Sequence, residues 1–166
     1  MTEQQTPTAT ERTYMPPAVR QFSVFLDNRV GRLYDLLEVF EDHPEVQICS
    51  LNVVDASDYA VIRMIPNNSA IARALLRNRS IPNSETDLLV VELEPNHTMT
   101  RMCLYLLGAE LNIHFAYPLM LRRDGKPTIA LAVDDYILAG QILRGKFFTL
   151  LGEADLPHPG WNQGAD

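Results

Sequence analysis

The chain has 166 residues, of which 46% are hydrophobic, and carries a formal net charge of −7. This length suits one ordinary domain or two very small ones, and the hydrophobic content excludes a disordered chain. The negative charge and the lack of a basic run argue against a nucleic-acid partner, because neutralising phosphates requires clustered Lys and Arg. The sequence has no apolar stretch long enough to span a bilayer and no apolar segment typical of a secretory signal.

The two cysteines, Cys49 and Cys103, stand alone and far apart in the sequence. A small domain held by disulfides has more cysteines than this, so we expect two buried free thiols. Free thiols are typical of a reducing compartment. Together with the missing secretory segment, they predict a cytoplasmic protein.

The first half of the chain follows the order strand, helix, strand, strand, helix. A polar, Pro-rich tail over residues 1–19 precedes the strand pattern of residues 21–26. A helix follows, with apolar residues at i, i+3, i+4 and i+7, namely Leu33, Leu36, Leu37 and Phe40. Two β-rich segments at 46–54 and 59–65 then flank a turn, and a second helix begins after Pro66.

In the second half the same pattern begins again after a strand at residues 84–93. Laid on the first copy at an offset of 69, a second helical stripe matches the first one, and its residues are Met102, Tyr105, Leu106 and Ala109. A return strand at 128–133, a helix opened by Asp134 and Asp135, and a short strand at 147–151 complete the copy.

We therefore interpret the chain as a duplicated βαββαβ unit. The predicted fold class is α+β, with two tandem ferredoxin-like units whose antiparallel sheets carry helices on one face. The predicted units span residues 20–84 and 85–151. A disordered or extended tail occupies residues 1–19, and an acidic C-terminal tail occupies residues 152–166.

The connection between the first strand and the first helix is the leading candidate for a binding site. We call it the first loop, and it consists of Asp27, Asn28, Arg29, Val30, Gly31, Arg32 and Leu33. A loop that ends a strand and opens a helix directs backbone N–H groups outward, and a glycine allows a ligand to approach them closely. An ordinary strand-to-helix turn shows the same pattern, so the loop taken alone does not establish a site.

The corresponding second loop contains Asn96, His97, Met99 and Thr100. At the offset of 69, Thr100 takes the place of Gly31, and its Cβ obstructs close approach of a ligand to the backbone. We therefore expect the second loop to be a weaker or absent site, or else a structural partner for the first loop.

The sequence contains no nucleotide-binding loop, nucleophile elbow or metalloprotease motif. The four histidines are isolated from one another and from both cysteines, so no metal site is predicted. Asp55 and Asp58 lie near one turn and have the chemistry of an acid–base pair, but Asp is also the usual structural residue of a hairpin turn. We expect a non-catalytic protein without a metal or cofactor.

Three segments together resemble the ACT domain, a small ferredoxin-like ligand-binding module. Residues 25–33 are similar to the N-x-P-G-x-L signature of that family, with Val30 in the place of the proline. Residues 51–63 are similar to the hairpin of stand-alone tandem ACT proteins, and residues 84–93 to the strand that joins the two copies there. The resemblance covers residues 20–151.

The resemblance implies a regulatory protein that binds an amino acid at an interface between ACT domains, with the first loop as the site. Such domains pair side by side so that their sheets become continuous, which implies a homodimer through sheet edges. Two alternatives remain open. One is a regulatory subunit that docks on an amino-acid biosynthetic enzyme, for instance one resembling acetolactate synthase. The other is a dimerising scaffold that binds no ligand.

Overall fold

The computed structural model describes residues 15–122 and 124–158, and these residues form seven strands and four α-helices. The strands are β1 (Val19–Asp27), β2 (Ile48–Ala56), β3 (Tyr59–Pro66), β4 (Asn83–Glu92), β5 (Ile113–Pro118), β6 (Thr128–Val133) and β7 (Thr149–Leu151). The helices are α1 (Arg32–Glu41), α2 (Ser69–Asn78), α3 (Met99–Gly108) and α4 (Tyr136–Gly145), followed by a 3-10 turn, Glu153–Asp155.

A single strand, β4, belongs to both repeats. Its first part, residues 83–88, pairs with β1, and its second part, residues 89–92, pairs with β6 and β7. The sheet order is β2-β3-β1-β4-β6-β5, and the strand pairs are antiparallel. The first unit thus contains β1–β3, α1, α2 and the start of β4; the second contains the rest. This topology confirms two βαββαβ units, and the boundary predicted between residues 84 and 85 falls inside the shared strand.

Each unit packs its two helices on one face of its part of the sheet, as predicted. In the first unit, this core is built around Phe22 and Leu36, and in the second around Leu89 and Met102, all nearly inaccessible to solvent. Alternate strand residues point to the opposite face, so each unit has a second, helix-free apolar face. These faces provide a third core, which includes Val19 and other buried residues of both units: Cys49, Ile65, Tyr117, Ala130 and Leu156.

The sheet curls until the helix-free faces of the two units meet. The Ser50 hydroxyl donates to the carbonyl oxygen of Pro118 at 2.6 Å, and the backbone N–H of Met120 donates to Cys49 at 2.8 Å. The Arg63 guanidinium lies 4.1 Å from the centre of the Phe115 ring. Strand β2 and the segment after β5 stand at the two ends of the strand order, so their contact requires the curled arrangement.

The two units align at an offset of 66 or 67 residues rather than 69. Gly31 and Thr98 are the N-caps of α1 and α3. The buried residues Leu36 and Phe40 of α1 correspond to Met102 and Leu106 of α3, an offset of 66. The predicted offset is therefore wrong. A helical stripe repeats every three to four residues, so a shift of three still places apolar residues on apolar residues.

The predicted N-terminal tail is partly folded. Pro16 is buried, and a Cβ added to Gly140 of α4 would overlap the Pro16 ring. Val19 is fully buried as the first residue of β1. The proline-rich composition suggested an extended tail, but proline rings pack well where no backbone N–H is required. Residues 1–14 lie outside the described part of the chain.

The predicted C-terminal tail also begins with a folded segment. The Glu153 carboxylate accepts hydrogen bonds from the backbone N–H of Ser69 and, at 3.1 Å, from its hydroxyl. Because Ser69 is the first residue of α2, this carboxylate lies at the positive end of that helix. Leu156 is buried in the core between the units. Residues 159–166 lie outside the described part.

The two cysteines differ in exposure. Cys49 is fully buried between the units, and Cys103 is exposed on α3; both are free thiols. The prediction of two buried thiols is therefore wrong for Cys103. Cys103 directly follows the buried Met102, which places it about 100° further around the helix and outside the buried stripe. Apolar residues surround this helix on several sides, so the sequence did not show which of them is buried.

Candidate functional site

Three connections meet at one end of the first unit. Because β1 and β4 are antiparallel neighbours, the end of β1 lies beside the start of β4. There the N–H of Phe25 donates to the carbonyl oxygen of Pro82 at 3.2 Å. On the other side, the Asn28 amide donates to Asp55 and to the carbonyl oxygen of Ser57, both at 3.3 Å. The first loop therefore lies between the β2–β3 hairpin and the turn from α2 to β4.

The N-terminus of α1 has no side-chain cap. Its N-cap is Gly31, with φ of +89°, and no side chain accepts a hydrogen bond from the first turn. The other three described α-helices are capped by side-chain oxygens, which belong to Asn68, Thr98 and Asp135. The first N–H groups of a helix lack partners within it, and they form its positive end. At α1 the N–H of Arg32 donates to the carbonyl oxygen of Arg29 at 3.3 Å, whereas the N–H groups of Leu33 and Tyr34 remain open to an external acceptor.

An ion cluster lies beside this helix end. The Asp27 carboxylate accepts hydrogen bonds from Arg29 and, at 2.7 Å, from the Arg32 Nε. A guanidinium nitrogen of Arg32 also lies 3.8 Å from Asp35. Desolvation raises the pKa of Asp27, but the hydrogen bonds and charges of both arginines outweigh it, so its pKa is lowered. The carboxylate is therefore ionised at neutral pH.

A cavity of about 440 Å³, the first-unit pocket, opens between α1 and the α2–β4 turn. Its walls are apolar where they meet the core, with Leu26, Leu36, Val39, Ile81 and Pro82. Its polar lining consists of Asp27, Arg32, Asp35, Arg79 and Ser80. This size lies in the range of small-molecule sites, and an apolar wall with a few polar groups is their usual composition.

The predicted residues of the first loop take different positions. Asp27 and Arg32 line the first-unit pocket, and Gly31 caps α1. The remaining residues lie outside the pocket. Asn28 donates a hydrogen bond to the β2–β3 hairpin, and Arg29 donates one to Asp27. Val30 is exposed to solvent, and Leu33 packs against the core of the first unit.

The other wall of the pocket, residues 79–82, was not predicted from the sequence. The βαββαβ order itself contained a usable signal. In that order the first strand ends beside the start of the last strand, so the turn after the second helix must lie beside the first loop.

The second loop lies at the other end of the shared strand. It follows β4, whereas the first loop lies near the start of β4, and ten residues at about 3.3 Å each separate the two loops by roughly 30 Å. The two loops of one chain therefore do not touch. Thr98, not Thr100, occupies the position equivalent to Gly31.

Several polar groups at the second loop already have partners. The Thr98 hydroxyl oxygen accepts from the Arg101 N–H, and the Arg101 guanidinium donates to the carbonyl oxygen of Asn96 at 3.0 Å. The His97 ring packs edge-on against Phe148, with centroids 4.9 Å apart. Met99 is half exposed, and Thr100 lies within α3. The structure thus brings Asn96 and Arg101 together but forms no open helix end here.

The interface between the two units of one chain does not include the first loop. Among the described residues, no hydrogen bond or ion pair joins residues 27–33 to the second unit. The contacts between units lie toward the opposite end of β1, for example at Gln21, which accepts from the Tyr117 hydroxyl. An interface site at the first loop would therefore require a second chain.

The described residues contain no group of three or more His, Cys, Asp or Glu side chains arranged to hold a metal ion. None of the helices found in those residues has the length and apolar character needed to cross a membrane.

Known proteins share this fold. The structure is similar to that of protein BT0572 from Bacteroides thetaiotaomicron, with a TM-score of 0.73 and 19% identity, covering 84% of this chain and 96% of that one. It is also similar to the ligand-free regulatory subunit of aspartate kinase from Thermus thermophilus, with a TM-score of 0.52 and 7% identity, covering 80% of this chain and 94% of that one. No curated protein matches the sequence.

The sequence itself identifies the family. The family model of the ACT domain pair matches residues 17–136, which include the first unit, the shared strand and most of the second unit. The match agrees with the duplicated βαββαβ topology and with the glycine that opens α1. The chain therefore belongs to the ACT-domain family, as a pair of ACT domains.

Proposed function

We propose that this protein is a non-catalytic regulatory protein whose first unit binds an amino acid at the first loop. The observation that carries the proposal is the uncapped N-terminus of α1 beside the Asp27–Arg32 ion pair. An amino acid presents a carboxylate and an ammonium group close together. The N–H groups of α1 and the Arg32 guanidinium suit the carboxylate, and the Asp27 carboxylate suits the ammonium group.

The structural relatives support a regulatory role. The relative from Thermus thermophilus is the regulatory subunit of aspartate kinase in a ligand-free form. We propose that the present chain is likewise a regulatory protein, with ligand binding as its activity and a cytoplasmic location. The second loop, with its side-chain cap and bonded arginine, binds more weakly or not at all.

Thermal-shift screening against the twenty amino acids tests the proposal. A ligand at 100 times its dissociation constant raises the free energy of unfolding by about 2.7 kcal/mol. We expect such a shift for at least one amino acid, and we expect Arg32→Gln to abolish it. Arg101→Gln, the same substitution at an arginine of α3 beside the second loop, should leave it intact. A screen without any shift, or equal loss with both variants, contradicts the proposal.

The proposal includes a homodimer through a sheet edge, and the structure favours the β5 edge. Strand β2 is already partly covered, because the N–H groups of Met120 and Leu121 donate to the carbonyl oxygen of Cys49. Strand β5 ends the strand order on the other side, next to α3, where Leu104 and Leu107 are 60% and 70% exposed. An open edge beside an apolar helix face is a ready surface for a second copy.

Sedimentation of the Leu107→Glu variant tests the dimer. A wild-type dimer that dissociates in this variant supports the β5 edge, whereas a monomeric wild type removes the homodimer from the proposal. The same exposed face is the feature that favours the alternative of a subunit docked on a biosynthetic enzyme. That alternative replaces the dimer if the wild-type protein is monomeric by itself and co-purifies with such an enzyme, and if Leu107→Glu abolishes the co-purification.

A further inference from the structure

The turn that forms one wall of the first-unit pocket has an exact structural counterpart in the second unit. Ser80 and Phe147 both adopt left-handed backbone conformations, with φ of 53° and 68°. The next residue in each turn donates its N–H to the preceding helix at 3.0 Å, from Ile81 to Leu76 and from Phe148 to Leu143. Ile81 and Phe148 therefore occupy equivalent positions in the two units.

The helix wall of the pocket has a counterpart as well. Leu36 of α1 and Met102 of α3 are the equivalent buried residues of the two helices. Counting one turn on from each, Val39 of α1 corresponds to Tyr105 of α3. Val39 lines the first-unit pocket together with Ile81. The second unit thus has two aromatic residues at the positions where the first has two branched aliphatic ones.

In the second unit these aromatic side chains fill the space. The Phe148 side chain is only 5% exposed, and its ring packs edge-on against His97 and Tyr105, at centroid distances of 4.9 Å and 6.2 Å. The Lys146 ammonium lies 5.0 Å from the centre of the Tyr105 ring. The protein thus fills with its own rings the place that corresponds to the first-unit pocket.

We infer that the ligand of the first unit is an amino acid with a large apolar side chain, which occupies the first-unit pocket as Phe148 occupies its counterpart. This inference rests on the proposed function and narrows it to aliphatic or aromatic amino acids, bound within one unit. The apolar walls around Leu36, Val39 and Ile81 match such a side chain.

The charges around the pocket agree with a zwitterion. Asp27 and Asp35 balance Arg32 and Arg79, so the charged side chains in the lining sum to zero. Arg79 forms no ion pair within the described residues, which leaves its guanidinium available to the ligand carboxylate. A second carboxylate on the ligand side chain would have to enter the apolar part of the pocket, which disfavours acidic amino acids.

Calorimetric titration of the full chain with leucine, phenylalanine, alanine and aspartate tests the inference. We expect leucine or phenylalanine to bind at least roughly tenfold more tightly than alanine, since each methylene in an apolar site contributes about that factor or more. Aspartate should show no binding. Tighter binding of alanine or aspartate than of both apolar amino acids overturns the inference.

Variants that place the aromatic side chains of the second unit at the equivalent positions of the first unit give the decisive comparison. Ile81→Phe and Val39→Tyr, alone and together, should weaken binding at least tenfold without lowering Tm. Leu138→Phe, on the partly exposed face of α4, is the matched control and should bind normally. If the variants with a filled pocket fold poorly, two further variants test the inference. Arg79→Gln must still weaken ligand binding, and Ile81→Ala must shift the ligand preference from leucine toward phenylalanine.

These outcomes separate the inference from the proposed function. If an amino acid binds, and Arg32→Gln abolishes binding while the pocket-filling variants do not, the first loop is the site and the pocket inference is wrong. If no amino acid binds the wild type, both are wrong.

Discussion

The hydrogen bond between Tyr117 and Gln21 offers a direct test of the packing between the two units. The Tyr117 hydroxyl donates to the Gln21 Oε1 at 2.6 Å, and the two residues are 5% and 1% exposed. Burial raises the pKa of Tyr117, so the hydroxyl keeps its proton and remains a donor. Tyr117→Phe removes that donor and leaves a buried amide oxygen without it.

Leaving a buried acceptor without its donor costs about 1 to 3 kcal/mol of unfolding free energy. For a protein of this size, each kcal/mol corresponds to a decrease of roughly 2 to 4 °C in Tm. Replacing both partners by apolar groups of similar shape is much less costly than the sum, so Tyr117→Phe combined with Gln21→Met should lose less stability than the two single variants added together. Urea unfolding measures all three variants and the wild type.

Tyr34→Phe is the matched control, because Tyr34 is exposed on α1. We expect it to change the unfolding free energy by less than about 0.5 kcal/mol. If Tyr117→Phe behaves like this control, or if its effect adds to that of Gln21→Met within about 0.5 kcal/mol, then the two helix-free faces do not meet as described.

Three further predictions concern other parts of the chain. Gly140→Ala should lower Tm, because its Cβ meets the N-terminal segment, whereas Gly145→Ala on the same helix meets nothing within 4 Å and should not; equal effects in thermal melts would contradict the docking of that segment. A thiol reagent at pH 8 should label exposed Cys103 and spare Cys49, whose pKa burial raises to about 12, and mass spectrometry of the native protein decides between one label and two. The pKa of Asp27 is lower in the folded protein than its unfolded-state value of about 3.8, so its ionised form stabilises the fold above that pH. This stabilisation disappears as the pH falls through the folded-state pKa, so in urea unfolding Asp27→Asn should be less stable than wild type at pH 6 and equally stable near pH 2. A stability difference that persists near pH 2 would contradict the ion pairing.

The strands and helices were predictable because each element buries one face, which imposes a period on the sequence. The return strand β6 has the bounds that its apolar run predicted, and the buried residues of α1 belong to its predicted stripe. The register of the repeat was not predictable in this way, since a stripe with a period of 3.6 residues cannot distinguish offsets that differ by three.

The candidate site was predictable only in part. Asp27, Gly31 and Arg32 follow one another in the sequence, and their residue types indicate a loop that opens a helix. Arg79 and Ile81 lie far along the chain, and they reach the pocket because β1 and β4 are neighbours. The difference between a filled and an open pocket depends on packing between separate segments, which no local pattern encodes.

Chemical-shift mapping of the isotope-labelled chain during titration with leucine or phenylalanine shows whether the ligand occupies the first-unit pocket. We expect the amide signals of Gly31, Arg79 and Ile81 to shift with the ligand, while those of Thr98 and Phe148 stay in place. Shifts at Thr98 and Phe148 instead, or none at any of these residues, would contradict this expectation.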